Sequence, residues 1–125
     1  FTGTWRPIRE RWPDVVRTVV EPAESAVISG HPPGTHRIEG GGVGFVPPLI
    51  TDDAYDRVEM VSTEDAFESA RQLARVEGVW TGPSGGASIL GAIRLARDLG
   101  PGHTVVTVQP DSGLKYLSGD LYRYS

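Results

Sequence analysis

Glu77-Gly78-Val79-Trp80-Thr81-Gly82-Pro83-Ser84-Gly85-Gly86-Ala87 is the stretch on which the reading of this chain turns. Gly78 stops the helix before it, since a residue without Cβ closes a helix in a left-handed conformation at little cost. Residues 79–81 read as a short strand, and residues 82–86 turn the chain into a second helix. Ile89, Ile93, Ala96 and Leu99 fall on one face of that helix and are expected to form its buried stripe. Strand, glycine turn and helix in succession form the repeating unit of a layered α/β domain.

The same alternation extends in both directions. Upstream, Ser62 and Asp65 make a capping box for a helix reaching Glu77, with Ala66, Ala70, Leu73 and Ala74 on its inner face. Residues 57–61 form a strand before it. Residues 30–48 hold too much Gly and Pro for a long regular element. Residues 15–20 are β-branched and apolar on both faces, as in a buried parallel strand ended by Glu21-Pro22, and residues 24–29 allow a short helix. A first helix over residues 4–11 closes at Trp12-Pro13, because a residue before proline is pushed out of helical angles. Downstream, Gly100-Pro101-Gly102 ends the last helix, and residues 104–109 read as another fully buried strand. The expected architecture is α/β, a three-layer sandwich around a mainly parallel sheet.

Composition narrows the function classes. With 125 residues the chain fits one domain. A net charge of −4 and no Lys/Arg run argue against nucleic-acid binding. No apolar run approaches the roughly 20 residues that cross a bilayer, and no leader pattern precedes the first helix. Absence of cysteine removes disulfides, thiolate metal sites and cysteine nucleophiles, and fits a cytoplasmic setting. The first residue is Phe1 rather than Met, which suggests that the amino end is not a natural start. Of the twelve basic residues only Lys115 is lysine.

In open α/β sheets, ligands sit at the carboxyl ends of the strands. Three segments fall there: Gly40-Gly41-Gly42-Val43-Gly44-Phe45, Gly82-Pro83-Ser84-Gly85-Gly86, and Pro110-Asp111-Ser112-Gly113. The middle one has two readings. Gly-x-Ser-x-Gly between strand and helix is the nucleophile elbow of α/β hydrolases. The only acid and histidine following in the required order, Asp98 and His103, begin about 20 Å away at 1.5 Å per helical residue. That distance defeats a triad, though residues 40–42 could mimic an oxyanion loop, and a serine hydrolase using Ser84 stays as an alternative. A non-catalytic α/β interaction module is the other. In the second reading Ser84 bonds a cofactor ring nitrogen, and the positive end of its helix disfavours a protonated ring.

Five segments occur here in one order: Val20-Glu21-Pro22-Ala23-Glu24-Ser25, His36 to Pro47, Glu64-Asp65-Ala66-Phe67, Glu77 to Ala87, and Pro110 to Ser118. Together they resemble the cysteine synthase and cystathionine β-synthase branch of fold-type II pyridoxal-phosphate enzymes, from Phe1 to about Tyr122. The resemblance implies an incomplete tryptophan synthase β-like large domain. Residues 1–125 would be its carboxyl-terminal part, without the portion that carries the catalytic lysine.

Carried over by position, Ser84 bonds the pyridine nitrogen of pyridoxal 5'-phosphate, with Asp111 and Ser112 near the pyridine edge. Gly40, Gly41, Gly42 and Gly44 belong to a mobile loop on the substrate side of the cofactor. The family usually has Ser or Ala where this chain has Gly85, and often Ile at Gly41. Its phosphate-binding Gly-Thr-Gly-Gly-Thr loop would end just before Phe1, and Lys115 does not match the Schiff-base lysine. No catalytic residue is therefore expected within this chain. The implied activity is β-replacement: an O-activated serine loses its β-substituent to give aminoacrylate, and sulfide adds to make L-cysteine or a relative. The parent would be a cytoplasmic homodimer acting on a small amino acid, and the chain alone should be inactive.

Other features have plainer readings. Asp52-Asp53-Ala54-Tyr55-Asp56 matches a magnesium-binding DDxxD pattern in letters, but it follows Pro47-Pro48 in a loop and reads as a solvated turn. His31, His36 and His103 lack metal-ligand spacing, and His31 and His36 are expected to be exposed. Trp5, Trp12 and Trp80 read as packing residues, and Ser84 could also serve as a helix N-cap.

Overall fold

The computed structural model describes residues 1–123. Helix α1 spans Thr2–Arg11 and ends at Trp12, two residues earlier at its start than the sequence pattern suggests. Strand β1, Thr18–Pro22, pairs in parallel with β2, Arg57–Val61, in a register from Thr18↔Arg57 to Pro22↔Val61. The expected strand thus slides toward the carboxyl end: Glu21 and Pro22 stay in it, while Val15 and Val16 precede it. Arg17 explains the starting point. Its carbonyl accepts from the Asp56 and Arg57 amides at 2.8 and 3.1 Å, and its guanidinium takes both Asp56 oxygens at 2.7 and 2.9 Å. That fixes where the ladder begins. The expected helix over 24–29 shrinks to a 3-10 turn, Ala23–Ser25.

Helix α2, Thr63–Glu77, follows β2. Ser62 accepts from the Asp65 amide at 3.1 Å, and Gly78 closes the helix at φ 68°. Helix α3, Pro83–Leu99, packs along α2. A Cβ on Gly86 would overlap the Ala66 carbonyl, so glycine there lets the two helices approach closely. The core lies between helices and strands, with Ile38, Val61, Ala66 and Ala87 buried together and Val20 and Leu90 against them. A second cluster joins Phe67 and Ala70 to Leu121 in the carboxyl-terminal segment.

Two sequence expectations are corrected. The buried face of α3 is Ala87, Gly91 and Leu95, not Ile89, Ile93, Ala96 and Leu99; Ile93 is 40 % exposed. The small-residue face wins because only it lets α3 lie close on α2 and on Val20 of β1. Residues 79–81 and 104–109 run without a ladder, and Val106 and Val108 stand 85 % and 68 % exposed. Among the described residues the sheet has two strands, parallel, with one helical layer against them. No helix in them is long and apolar enough to cross a membrane.

Candidate cofactor site

A cleft of about 280 Å³ opens where β1, the glycine loop and the start of α3 meet. Ser84, Gly40 and Gly41 line it, with Glu21, Ile38 and Ser88 among the other walls. The structure thus brings Ser84 and half of the glycine segment to one place. A second hollow, on the Trp5, Arg6, Arg9 and Glu10 face of α1, lies away from these residues and is formed by one helix only.

Ser84 is the second residue of α3, whose N-cap is Gly82 with no capping side chain, so Ser84 does not cap the helix. Its half-buried hydroxyl forms no hydrogen bond among the described residues and faces the cleft. Glu21, the acidic residue in the lining, is 3 % exposed and already spent. It accepts from the Ile28 and Ser29 amides at 2.9 and 3.0 Å and from the Ser29 hydroxyl at 2.6 Å. The cleft therefore offers a ring nitrogen neutral hydroxyls at the positive end of a helix. That donor set fits pyridoxal phosphate with an unprotonated ring.

Asp111 and Ser112 stand behind this wall. Asp111 accepts from the Gly82 amide at 3.1 Å and from the Tyr116 hydroxyl at 2.6 Å. Burial and the Asp111 carboxylate push Tyr116 well above the usual phenol range, so it stays protonated and keeps donating. Ser112 is exposed and caps a 3-10 turn, Gly113–Tyr116, by accepting from the Leu114 amide at 3.3 Å. Pro110 alone of that segment reaches the cleft. The neighbouring Lys115 is exposed, its Nζ 3.6 Å from Asp111 and 5.9 Å from the Tyr116 ring centre.

The departure at Gly85 has a local reason. A Cβ there would overlap Thr81 Oγ1 and lie 2.5 Å from Gln109 Oε1. Thr81 fills the space that a family side chain would occupy. Its hydroxyl and Gln109 Oε1 are buried without a hydrogen bond. Tyr122 pins Thr81 from the other side, donating to its carbonyl at 2.6 Å, while its ring stacks on Trp80 at 5.2 Å.

Gly42 and Gly44 do not line the cleft; Gly42 packs on Pro22 and His36, and Gly44 on Pro33. His36 is half-buried rather than exposed, and its ring is hydrogen-bonded on both nitrogens. Ser88 escaped the sequence reading although it sits one turn beyond Ser84, the spacing that puts two side chains on one helix face. The hydrolase alternative fails on placement: Asp98 pairs with Arg57 at 2.5 Å at the far end of α3, and His103 lies beyond it, exposed. The acidic turn at residues 52–56 anchors Arg17 through Asp56, and among the described residues no cluster of His, Cys, Asp and Glu could hold a metal.

Residues 1–111 match the family described as pyridoxal-phosphate dependent enzymes. A probable cysteine synthase of Bacillus subtilis is 44 % identical over 124 residues, which are 99 % of this chain and 40 % of that protein. The solved O-acetylserine sulfhydrylase isoform 3 of Entamoeba histolytica superposes with a TM-score of 0.92 at 37 % identity, over 97 % of this chain and 36 % of that one. An O-acetylserine-dependent cystathionine β-synthase of Helicobacter pylori gives 0.92 at 39 % identity, over 98 % of this chain and 40 % of that one. The chain spans about 40 % of the length of the curated relatives it matches.

Proposed function

The chain belongs to the family of pyridoxal-phosphate dependent enzymes, and from that membership we propose that it supplies the ring-nitrogen side of a β-replacement active site. In this reading it is the carboxyl-terminal part of the large domain of an enzyme that exchanges the β-substituent of an O-activated serine for sulfide, giving L-cysteine or a related amino acid. The carrying observation is the unbonded Ser84 hydroxyl at a cleft shared with Gly40 and Gly41.

When bound, pyridoxal phosphate draws electron density from the substrate's α-carbon. Ser84 would hold the ring nitrogen with a neutral hydroxyl, which keeps that draw moderate. A moderate sink suits elimination, where the leaving group departs before much negative charge accumulates. Asp111 contributes by holding the Gly82 amide, and with it the first turn of α3, in place. Gly40 and Gly41 put bare backbone on the cleft wall, where a small amino acid can come close.

Lys115 is the only lysine here and does not line the cleft, so in this reading the cofactor's lysine comes from another part of the enzyme. The chain alone is then inactive. The reading extends to a homodimeric, cytoplasmic enzyme taking sulfide as its second substrate, as the sequence resemblance implies; the name of the cysteine synthase relative supports its L-cysteine-forming part.

The test uses this chain joined to an amino-terminal part of the length its relatives have. Ser84→Ala should weaken cofactor binding about two- to tenfold, the worth of one net hydrogen bond. Ser84→Asp should retain binding but slow elimination from O-acetylserine at least about tenfold, because a carboxylate raises the proton affinity of the ring nitrogen. An unchanged elimination rate in Ser84→Asp would overturn the assignment.

A further inference from the structure

We propose that His36 is a positioning residue: as the neutral imidazole carrying its proton on Nε2, it fixes the glycine loop and so sets the substrate wall of the cleft. The significance for catalysis rests on the functional reading above; the geometry does not. The Ile38 amide donates to His36 Nδ1 at 3.2 Å, so Nδ1 carries no proton. Nε2 lies 2.9 Å from the Gly42 carbonyl, which can only accept, so Nε2 must donate. One neutral tautomer satisfies both contacts.

The two anchors straddle the residues that matter. Ile38, Gly40 and Gly41 line the cleft, and the imidazole ties the chain on either side of the two glycines, at 38 and at 42. Gly42 takes φ 57°, and a Cβ there would lie 2.6 Å from His36 Nε2 and 2.6 Å from Pro22 Cγ. The loop is thus pressed between the ring and β1. Pro22 is itself part of the cleft lining, so a shift at Gly42 moves one of its walls.

Without an acceptor at Nδ1 the Ile38 amide loses its ring partner, and the first anchor is gone. Glu24, from the 3-10 turn after β1, interacts with the ring through its charge, and its carboxylate is held by the Thr63 amide at 2.7 Å.

Amide hydrogen exchange and ¹⁵N NMR on the full chain test this without cofactor. His36 should show the Nε2–H tautomer. In His36→Gln, which keeps a donor at the ε position and has no acceptor at the δ position, exchange at the Ile38 amide should accelerate about two- to tenfold. Fast motion at Gly40 to Gly42 should rise in His36→Gln and rise further in His36→Leu, which keeps neither contact. An Nδ1–H tautomer in the wild type would overturn the proposal, and so would loop motion that both variants leave unchanged. Because Ser84 takes no part in the readout, failure here leaves the cofactor assignment standing, and failure of that assignment leaves the latch standing.

Discussion

Residues 57–61 and residues 104–109 carry the same kind of sequence, runs rich in β-branched apolar side chains, yet only the first forms a ladder. Val61 is fully buried between strands and helices; Val106 is 85 % exposed. The difference is a partner. β1 lies beside the first run and meets it residue for residue from Thr18↔Arg57 to Pro22↔Val61, whereas among the described residues no strand pairs with the second. β-branching makes a segment fit for a sheet, but the sheet is made by a second strand, and that is a non-local property.

Four substitutions probe this contrast. The largest effect is expected at Val61→Thr, which buries a hydroxyl without a partner in the core and should cost about 1–3 kcal/mol in urea unfolding. Gly85→Ala comes next. Its methyl group would press on Thr81 and Gln109, one residue from each of the two unpaired runs. Overpacking of this kind costs about 1–3 kcal/mol, and removing the overlapping hydroxyl with Thr81→Ala should recover part of it in the double variant.

Asp56→Asn is a test by pH, because Asp56 and Arg17 set the start of the ladder. The Arg17 hydrogen bond holds Asp56 below the usual carboxylate range. Its stabilisation is therefore complete above the unfolded value of about 3.9 and fades as pH falls through the lower folded value. The Asn variant should be less stable at neutral pH and should lose less on acidification. Equal slopes for the two proteins would remove Asp56 from the ladder's start. The smallest effect belongs to Val106→Thr, expected within about 0.5 kcal/mol of wild type because the side chain is already in water. A large loss there would mean that residues 104–109 are buried after all.

The same contrast explains what the sequence disclosed. β2 and the Ser62 and Gly78 ends of α2 are local patterns, and each was legible to the residue. The strand–turn–helix around Ser84 was legible as a turn and a helix, but the run before it lacks its ladder. The inner face of α3 was misread because apolar volume points to Ile89 and Ile93, while packing chose the small residues that admit α2. In the site, Ser84, Gly40 and Gly41 came from motif likeness. His36 and Glu21 were missed as site-builders because most of their partners are backbone groups, which carry no letter in a sequence.

The central claim is that Ser84 presents a neutral hydroxyl to the nitrogen of the cofactor ring. The ¹⁵N chemical shift of that nitrogen, measured with labelled pyridoxal phosphate bound to the protein completed at its amino end, reads the contact directly. The account requires an unprotonated, hydrogen-bonded nitrogen in the wild type and a protonated one in Ser84→Asp. A nitrogen already protonated in the wild type, or one that the Asp variant leaves unmoved, would contradict it.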